Sequence, residues 1–244
     1  MDKIDTILLC GGRGTRLHEV TGDTIPKSLH KVEGRELLDY TLETLDFKHI
    51  DKIIFAVDHH AEAIREWVDS REIPCRVIFS EQSTPGVLGA VDSAMEHVET
   101  ERFIVCNTDE IRLGLSFTDL LATHIEEPRL MACMAATNTD HLYRHRALKI
   151  DETGKVTSSE LKGVTYVQDP NQNGPVNVGF ILFEREAASH FSSEHGRDWG
   201  AIIDPLTHKG LVKAAVMGIN YFNVGTRDEL TAAETYLATV TQTP

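Results

Sequence analysis

The stretch Ile7-Leu8-Leu9-Cys10-Gly11-Gly12-Arg13-Gly14-Thr15-Arg16-Leu17, with Pro26-Lys27 shortly after it, decides the fold class. Its apolar start reads as a buried strand. Gly11, Gly12 and Gly14 follow, and a residue without a Cβ lets backbone N–H groups close on an anion. Arg16 adds a planar, permanently charged fork suited to phosphate oxygens, and Lys27 adds a point charge. A strand feeding a glycine-rich loop with two cations nearby is a nucleotide site in outline.

The flanking sequence extends this pattern. Lys52–Val57, Cys75–Phe79 and Phe103–Cys106 are further apolar strands. Leu37–Leu45, Ala61–Asp69 and a segment running from the Gly86 loop to about His97 carry apolar residues at helical spacing. Strands and helices alternating over short links predict parallel βαβ units. In open α/β sheets ligands bind beyond the carboxyl ends of the strands. That rule puts the glycine loop after Leu9 and the Asn107-Thr108-Asp109 segment on one edge, and predicts that they share a site.

Thr118–His124 reads as a helix and Leu130–Ala136 as another buried strand. Leu148–Ile150 and Lys155-Val156 read as a hairpin, Val164–Val167 as a strand and Gln168–Pro175 as a loop. Asn177–Phe183 and Leu211–Val216 are strand-like, and Tyr221–Val224 is a short extended piece. Glu184–Phe191, Ile202–Lys209 and Asp228–Leu237 are helical in pattern. The prediction is an α/β, Rossmann-like, doubly wound, mostly parallel mixed sheet with a smaller β-rich region, forming one domain over 1–244.

Length and charge narrow the function. The chain has 244 residues, of which 41% are hydrophobic, which suits one α/β domain. The 24 basic and 38 acidic side chains give a formal charge of 24 − 38 = −14. This argues against a nucleic acid or an anionic membrane as partner. A polyphosphate substrate then needs local cations to reverse the field, which singles out Arg13, Arg16 and Lys27. Cys10, Cys75, Cys106 and Cys133 lie far apart with no C-x-x-C spacing, so neither zinc nor a disulfide framework is indicated. They read as reduced core residues of a cytoplasmic protein. No stretch approaches the length of a transmembrane helix.

The glycine turn is neither a dinucleotide fingerprint nor a P-loop. The whole string GGRGTRL with the later Pro-Lys pair, however, resembles the sugar-1-phosphate nucleotidyltransferases, or nucleotide-sugar pyrophosphorylases. Their signature is G-G-x-G-T-R-L followed by P-K, and the likeness continues along most of the chain. It implies a GT-A-like nucleotidyltransferase fold, with 1–125 mainly binding the nucleotide and 126–244 mainly binding the sugar phosphate. Leu9, Gly11, Gly12, Gly14 and Thr15 would hold the nucleotide. Gln82, Gly86 and Gly89 match the segment that contacts the nucleobase, although Val87-Leu88 depart from the usual small residues. Arg16 and Lys27 would be catalytic, and Asp109 matches the strand-end aspartate that holds Mg²⁺. Asn223 stands where the family usually has a second metal-binding aspartate. The N-acetylglucosamine-1-phosphate uridylyltransferases similarly use an aspartate with an asparagine. Lys162, Asn177 and Gly179 match segments that contact the sugar phosphate and sugar.

Other polar groups have plainer readings. His59-His60 reads as solvated, and His141 and His145 lack the H-E-x-x-H context of a zinc helix. Glu110 reads as a supporting group or a solvated charge. Arg144 and Arg146 are candidates for contact with an additional phosphate or acidic group on the substrate.

The resemblance implies transfer of a nucleotidyl group from an NTP to a sugar 1-phosphate, with Mg²⁺ as cofactor and pyrophosphate as second product. Among such enzymes the chain looks like the short members, which include heptose-1-phosphate guanylyltransferases. Guanylyl transfer is the first choice, ahead of uridylyl, thymidylyl or cytidylyl transfer. A catalytically silent nucleotide-sugar sensor and a glycosyltransferase are the rival classes, although the usual D-x-D of the latter is absent at Asn107-Thr108-Asp109. The resemblance leaves homo-oligomerisation open.

Overall fold

The computed structural model describes residues 3–12, 25–139, 146–161, 174–195 and 198–240. Strands β1 (Ile4–Leu9), β4 (Ile50–Val57), β5 (Arg76–Glu81) and β6 (Arg102–Asn107) run parallel in the order β6-β1-β4-β5. The small pair β2 (Lys31–Val32) and β3 (Arg35–Glu36) lies apart from them. Between the parallel strands come the helices α1 (Leu37–Glu43), α2 (Ala61–Asp69) and α3 (Val87–Met95). This is the βαβ winding that the apolar runs predict.

Successive residues of a strand face opposite sides of a sheet. Leu8 and Phe55 therefore enter one core layer with Leu38, Ile64 and Trp67 of α1 and α2. Their neighbours Ile7 and Ile54 enter the other, with Leu88, Val91 and Ala94 of α3. Helices thus cover both faces, which is why these strands read as continuous apolar runs rather than alternating ones.

The second half of the chain extends the same sheet. β8 (Ala132–Thr139), β9 (Arg146–Ile150), β10 (Val156–Leu161), β11 (Gly174–Glu184) and β12 (Val212–Val216) join it through β11, which is antiparallel to β6. β11 also pairs with β8, with an irregularity between Asn177 and Ile181. Helices α4 (Phe117–Ile125) and α5 (Trp199–His208) take opposite faces: Leu120 and Leu121 join the first layer, Ile202, Ile203 and Leu206 the second. A two-stranded sheet of β7 (Glu110–Leu113) and β13 (Asn220–Asn223) packs with α1 and α6 (Arg227–Val240) around Val32, Leu37, Ile111 and Leu230.

Four sequence expectations change. Glu184 closes β11, and Arg185–His190 is a 3-10 helix rather than a longer helix from Glu184. Gly174 and Pro175 of the expected loop belong to β11. The hairpin strands are longer than expected, Arg146–Ile150 and Val156–Leu161. β7 was not foreseen. The expected strand Val164–Val167 and the residues of the glycine loop from Arg13 onward lie outside the described residues. Cys10, Cys106 and Cys133 are buried and Cys75 is half-buried, all as free thiols. Among the described residues no helix is long and apolar enough to cross a membrane.

Candidate active site

The register sets the site. Leu9 pairs with Ala56 on one side and Asn107 on the other, and Val57 pairs with Glu81. The segments after β1, β4, β5 and β6 therefore leave the sheet at one level. They enclose a cleft of about 320 Å³, lined by Leu9, Gly11, Gly12, Lys27, Gln82, Gly86 and Asp109 among others. These sequence-predicted residues come together. Gly11 has a steric reason for its identity, since a Cβ there would lie 3.0 Å from Gln82 Oε1 and 3.1 Å from Asp58 Cβ. Gly86 sits at φ 100° ahead of α3, in the region that favours glycine.

Lys27 follows Pro26 on a short 3-10 turn. Its ammonium donates to Asp109 Oδ2 across the cleft, forming an ion pair. Burial works to raise the Asp109 carboxyl, but Lys27 and Arg112 outweigh it and hold the group below the usual carboxylate range. Asn223 reaches the same place from β13. Its neighbour Val224 donates its N–H to Asp109 O at 3.0 Å. A Cβ on Gly225 would stand 3.0 Å from Asn223 Oδ1 and 3.6 Å from Lys27 Nζ, so both side chains converge over that glycine. Asn223 Oδ1 is buried and has no hydrogen-bond partner among the described residues.

Beneath the cleft lies a buried ion pair that the sequence did not reveal. Glu110 is neither solvated nor peripheral: it is 4% exposed, and its Oε2 accepts from Arg112 NH2 at 2.6 Å. Arg112 also donates to the carbonyls of Val178, Asn107 and Gly179, tying β7 to the end of β6 and the middle of β11. Burial raises the Glu110 carboxyl above its usual value against the pull of Arg112. Gly179 has φ 61°, and a Cβ there would lie 2.4 Å from both Asn107 Nδ2 and Glu110 Oε2. The β11 irregularity therefore brings bare backbone against this network.

Asn177 and Gly179 lie on β11 beside this network, and Asn177 Oδ1 accepts from the Gly179 N–H at 2.9 Å. Gly89 packs against the preceding loop, where a Cβ would fall 2.0 Å from Thr84 O. Arg146 opens β9. Arg13, Gly14, Thr15, Arg16, His141, Arg144, His145 and Lys162 lie outside the described residues. His60 is half-buried at φ 61° before α2, so it is less solvated than the sequence suggested. Asp58 and Asp198 line the cleft without having been foreseen. For Asp58 the signal was present, because it follows a predicted strand as Asp109 does. Cys10 also lines the cleft, but burial pushes its thiol up to about 12, so it supplies no thiolate.

The sequence match places the chain among NTP-using transferases. The chain belongs to the family of MobA-like NTP transferase domains, which it matches over residues 6–190. A D-glycero-alpha-D-manno-heptose 1-phosphate guanylyltransferase of Campylobacter jejuni is 22% identical over 93% of this chain and 96% of its own length. The bifunctional protein GlmU of Pelobacter propionicus is 27% identical over 64% of this chain, which spans 33% of that protein's length. The crystal structure of HddC from Yersinia pseudotuberculosis superposes with a TM-score of 0.76, 24% identity, and 96% and 99% coverage of the two chains.

Proposed function

We propose that the whole chain works as one nucleotidyltransferase domain, moving a guanylyl group from GTP to a heptose or hexose 1-phosphate in the cytoplasm. The observation that carries this is the convergence of Lys27, Asp109 and the buried Asn223 oxygen, with Gly11 and Gly12 lining the same cleft as Lys27 and Asp109. Likeness to the Campylobacter guanylyltransferase over nearly the full length of both chains supports the acceptor and the base.

The acceptor phosphate oxygen attacks the α-phosphorus of the NTP. A P–O bond forms there, and the bond to the β-phosphate bridging oxygen breaks, releasing pyrophosphate on the opposite side. The nucleophile is already an anion, so no strong base is required. Alignment and neutralisation of two polyanions carry the rate. Backbone N–H groups of Gly11 and Gly12, with Gly14 and Thr15, hold the triphosphate. Arg16 stabilises the leaving pyrophosphate and Lys27 the α-phosphate. Lys162 holds the sugar phosphate, with Arg146 as a further cation, and Asn177 and Gly179 shape the sugar end.

A divalent cation fits the donor set. Asn223 Oδ1 is a buried oxygen lacking a donor among the described residues, and Asp109 supplies charge beside it. Two hard oxygen ligands suit Mg²⁺, which takes its remaining ligands from water and substrate phosphates. Among the described residues no cluster of three or more His, Cys, Asp or Glu competes as a metal site. Bound there by Asp109 and Asn223, Mg²⁺ would supply charge neutralisation at the phosphates.

The test is pyrophosphate release from GTP, UTP, CTP and dTTP, each paired with heptose, mannose, glucose and N-acetylglucosamine 1-phosphates in Mg²⁺. Release with GTP and a heptose or hexose 1-phosphate is expected. Silence across the whole panel would reject the enzyme in favour of a nucleotide-sugar sensor.

A further inference from the structure

The Asp109–Asn223 oxygens are short of charge for a divalent cation. Lys27 pairs with Asp109, so the one carboxylate there is already met by an ammonium. Asn223 brings an oxygen and no charge. Glu110, the residue after Asp109, is met by Arg112. A cation arriving beside Lys27 would find protein groups whose charges cancel, and a hard cation is held weakly where no anion faces it.

One carboxylate nearby is not cancelled. Gly225 lies between β13 and α6, and a Cβ on it would stand 2.9 Å from Glu229 Oε2, 3.0 Å from Asn223 Oδ1 and 3.6 Å from Lys27 Nζ. Three side chains from three elements thus close over one buried glycine. The two oxygens lie within about 6 Å of each other, near enough to act on a single cation. The ammonium of Lys27 already stands in this cluster, so the place accepts positive charge.

Glu229 also has an ordinary task. It stands three residues after Thr226, whose hydroxyl accepts from the Glu229 N–H at 3.3 Å. That is half of a capping box, in which the glutamate reaches back to the N–H of the cap residue. Here Glu229 Oε2 accepts instead from the N–H of Gly225, one residue earlier, at 2.9 Å. The carboxylate is carried past the cap and toward Asn223. Among the described residues it forms no ion pair. We propose that Glu229 supplies the second negative charge of the cation site, the charge that the neutral Asn223 lacks, and so sets the affinity of this chain for a divalent metal. The proposal rests on the reading of Asp109 and Asn223 as the cation's oxygens and adds the residue that completes their charge.

Glutamine separates the charge from the cap, because a capping box takes Gln as well as Glu. Glu229→Gln keeps an oxygen for the Gly225 N–H and removes the charge. Mn²⁺ binding without nucleotide is followed by the paramagnetic resonance of the free ion, and Mg²⁺ binding by competition. Urea midpoints and pyrophosphate release are read in parallel. Loss of a group that supports a metal beside its ligands weakens binding about 10- to 100-fold, and that is the loss expected in Glu229→Gln, with the urea midpoint near wild type. Adding Asn223→Asp returns the charge one side chain away and should bring the affinity back to within about threefold of wild type. Equal Mn²⁺ affinity in wild type and Glu229→Gln overturns the charge role while leaving nucleotidyl transfer intact. A loss that follows a fallen urea midpoint and that Asn223→Asp does not recover assigns Glu229 to the cap alone and overturns it as well. A wild-type chain that takes up no Mn²⁺ overturns the cation site itself. Binding that depends on Glu229 and recovers with Asn223→Asp, but with no pyrophosphate release from any pair, supports the charge role and overturns the transfer reaction.

Discussion

Lys27 and Asp109 neutralise each other in a cleft that must receive two polyanions. Their pairing stores a cation at the place where phosphate charge will arrive, on a turn fixed by Pro26 and under the Asn223 oxygen. Replacing Lys27 with Ala removes one preorganised stabiliser, and turnover should fall by about 10²–10³-fold, mainly in kcat. Near-normal kcat in pyrophosphate release would remove Lys27 from the reaction. Arg112 has the opposite character, since it is 3% exposed and meets carbonyls and Glu110 rather than solvent. Arg112→Met should leave Glu110 buried without its partner and cost about 3–5 kcal/mol of stability. Adding Glu110→Gln should recover part of that loss. Urea unfolding of the two single variants and the double should give a coupling of about 1–3 kcal/mol. Additive losses would show that the two side chains act independently.

At the scale of elements, α4 carries a titrating group into the core. Ser116 caps its first turn by accepting from the Asp119 N–H, and His124 on its last turn is 2% exposed. His124 Nε2 meets Glu184 Oε1 at the end of β11, 2.6 Å away. Burial lowers the His124 pKa below its ordinary value, and Glu184 offsets only part of that. A depressed folded pKa means that the unfolded chain takes up the proton first. The stability contribution is therefore complete above the unfolded value of about 6.5 and is lost as pH falls through the folded value. Urea midpoints between about pH 5 and 8 should drop on the acid side in the wild type. In His124→Gln that slope should flatten, and an unchanged slope would place the titration elsewhere. The same scale shows what the sequence could reveal. The parallel strands were legible because burial on both faces forces unbroken apolar runs. β7 was not, because Glu-Ile-Arg-Leu looks polar until Glu110 and Arg112 are seen to share one inner face and satisfy each other. The bend of β11 at Gly179 was also hidden, since it answers to Asn107 and Glu110, which are distant in sequence.

For the whole molecule, the two ends of the parallel sheet do different work. The carboxyl ends hold the cleft: the strand-end rule found Gly11 and Asp109, the Pro-Lys motif found Lys27 and the family resemblance found Gln82, while Asp58 stands at a strand end but carried no motif. The amino ends hold a second buried charge cluster that no motif marked, because a lysine in an apolar strand looks like a solvated interruption. Lys52, fully buried on β4, contacts Glu99 and lies 3.7 Å from Asp5 on β1. Asp5 is equally buried, and its Oδ2 accepts from the N–H groups of Glu99 and Thr100 at 2.7 and 3.1 Å. Glu99 is 67% exposed and contributes little through its own charge. Lys52→Met should thus act chiefly by stranding the Asp5 carboxylate, at a cost of about 3 kcal/mol. Leu9 lies four positions beyond Asp5, about 13 Å along an extended strand. Damage there should leave the cleft intact. The urea midpoint should fall, while kcat and KM for pyrophosphate release, measured well below the unfolding transition, stay within about twofold of wild type. Adding Asp5→Asn should restore part of the midpoint by removing the stranded charge. A loss of turnover in parallel with the loss of stability would mean that the two ends of the sheet are mechanically coupled rather than separate.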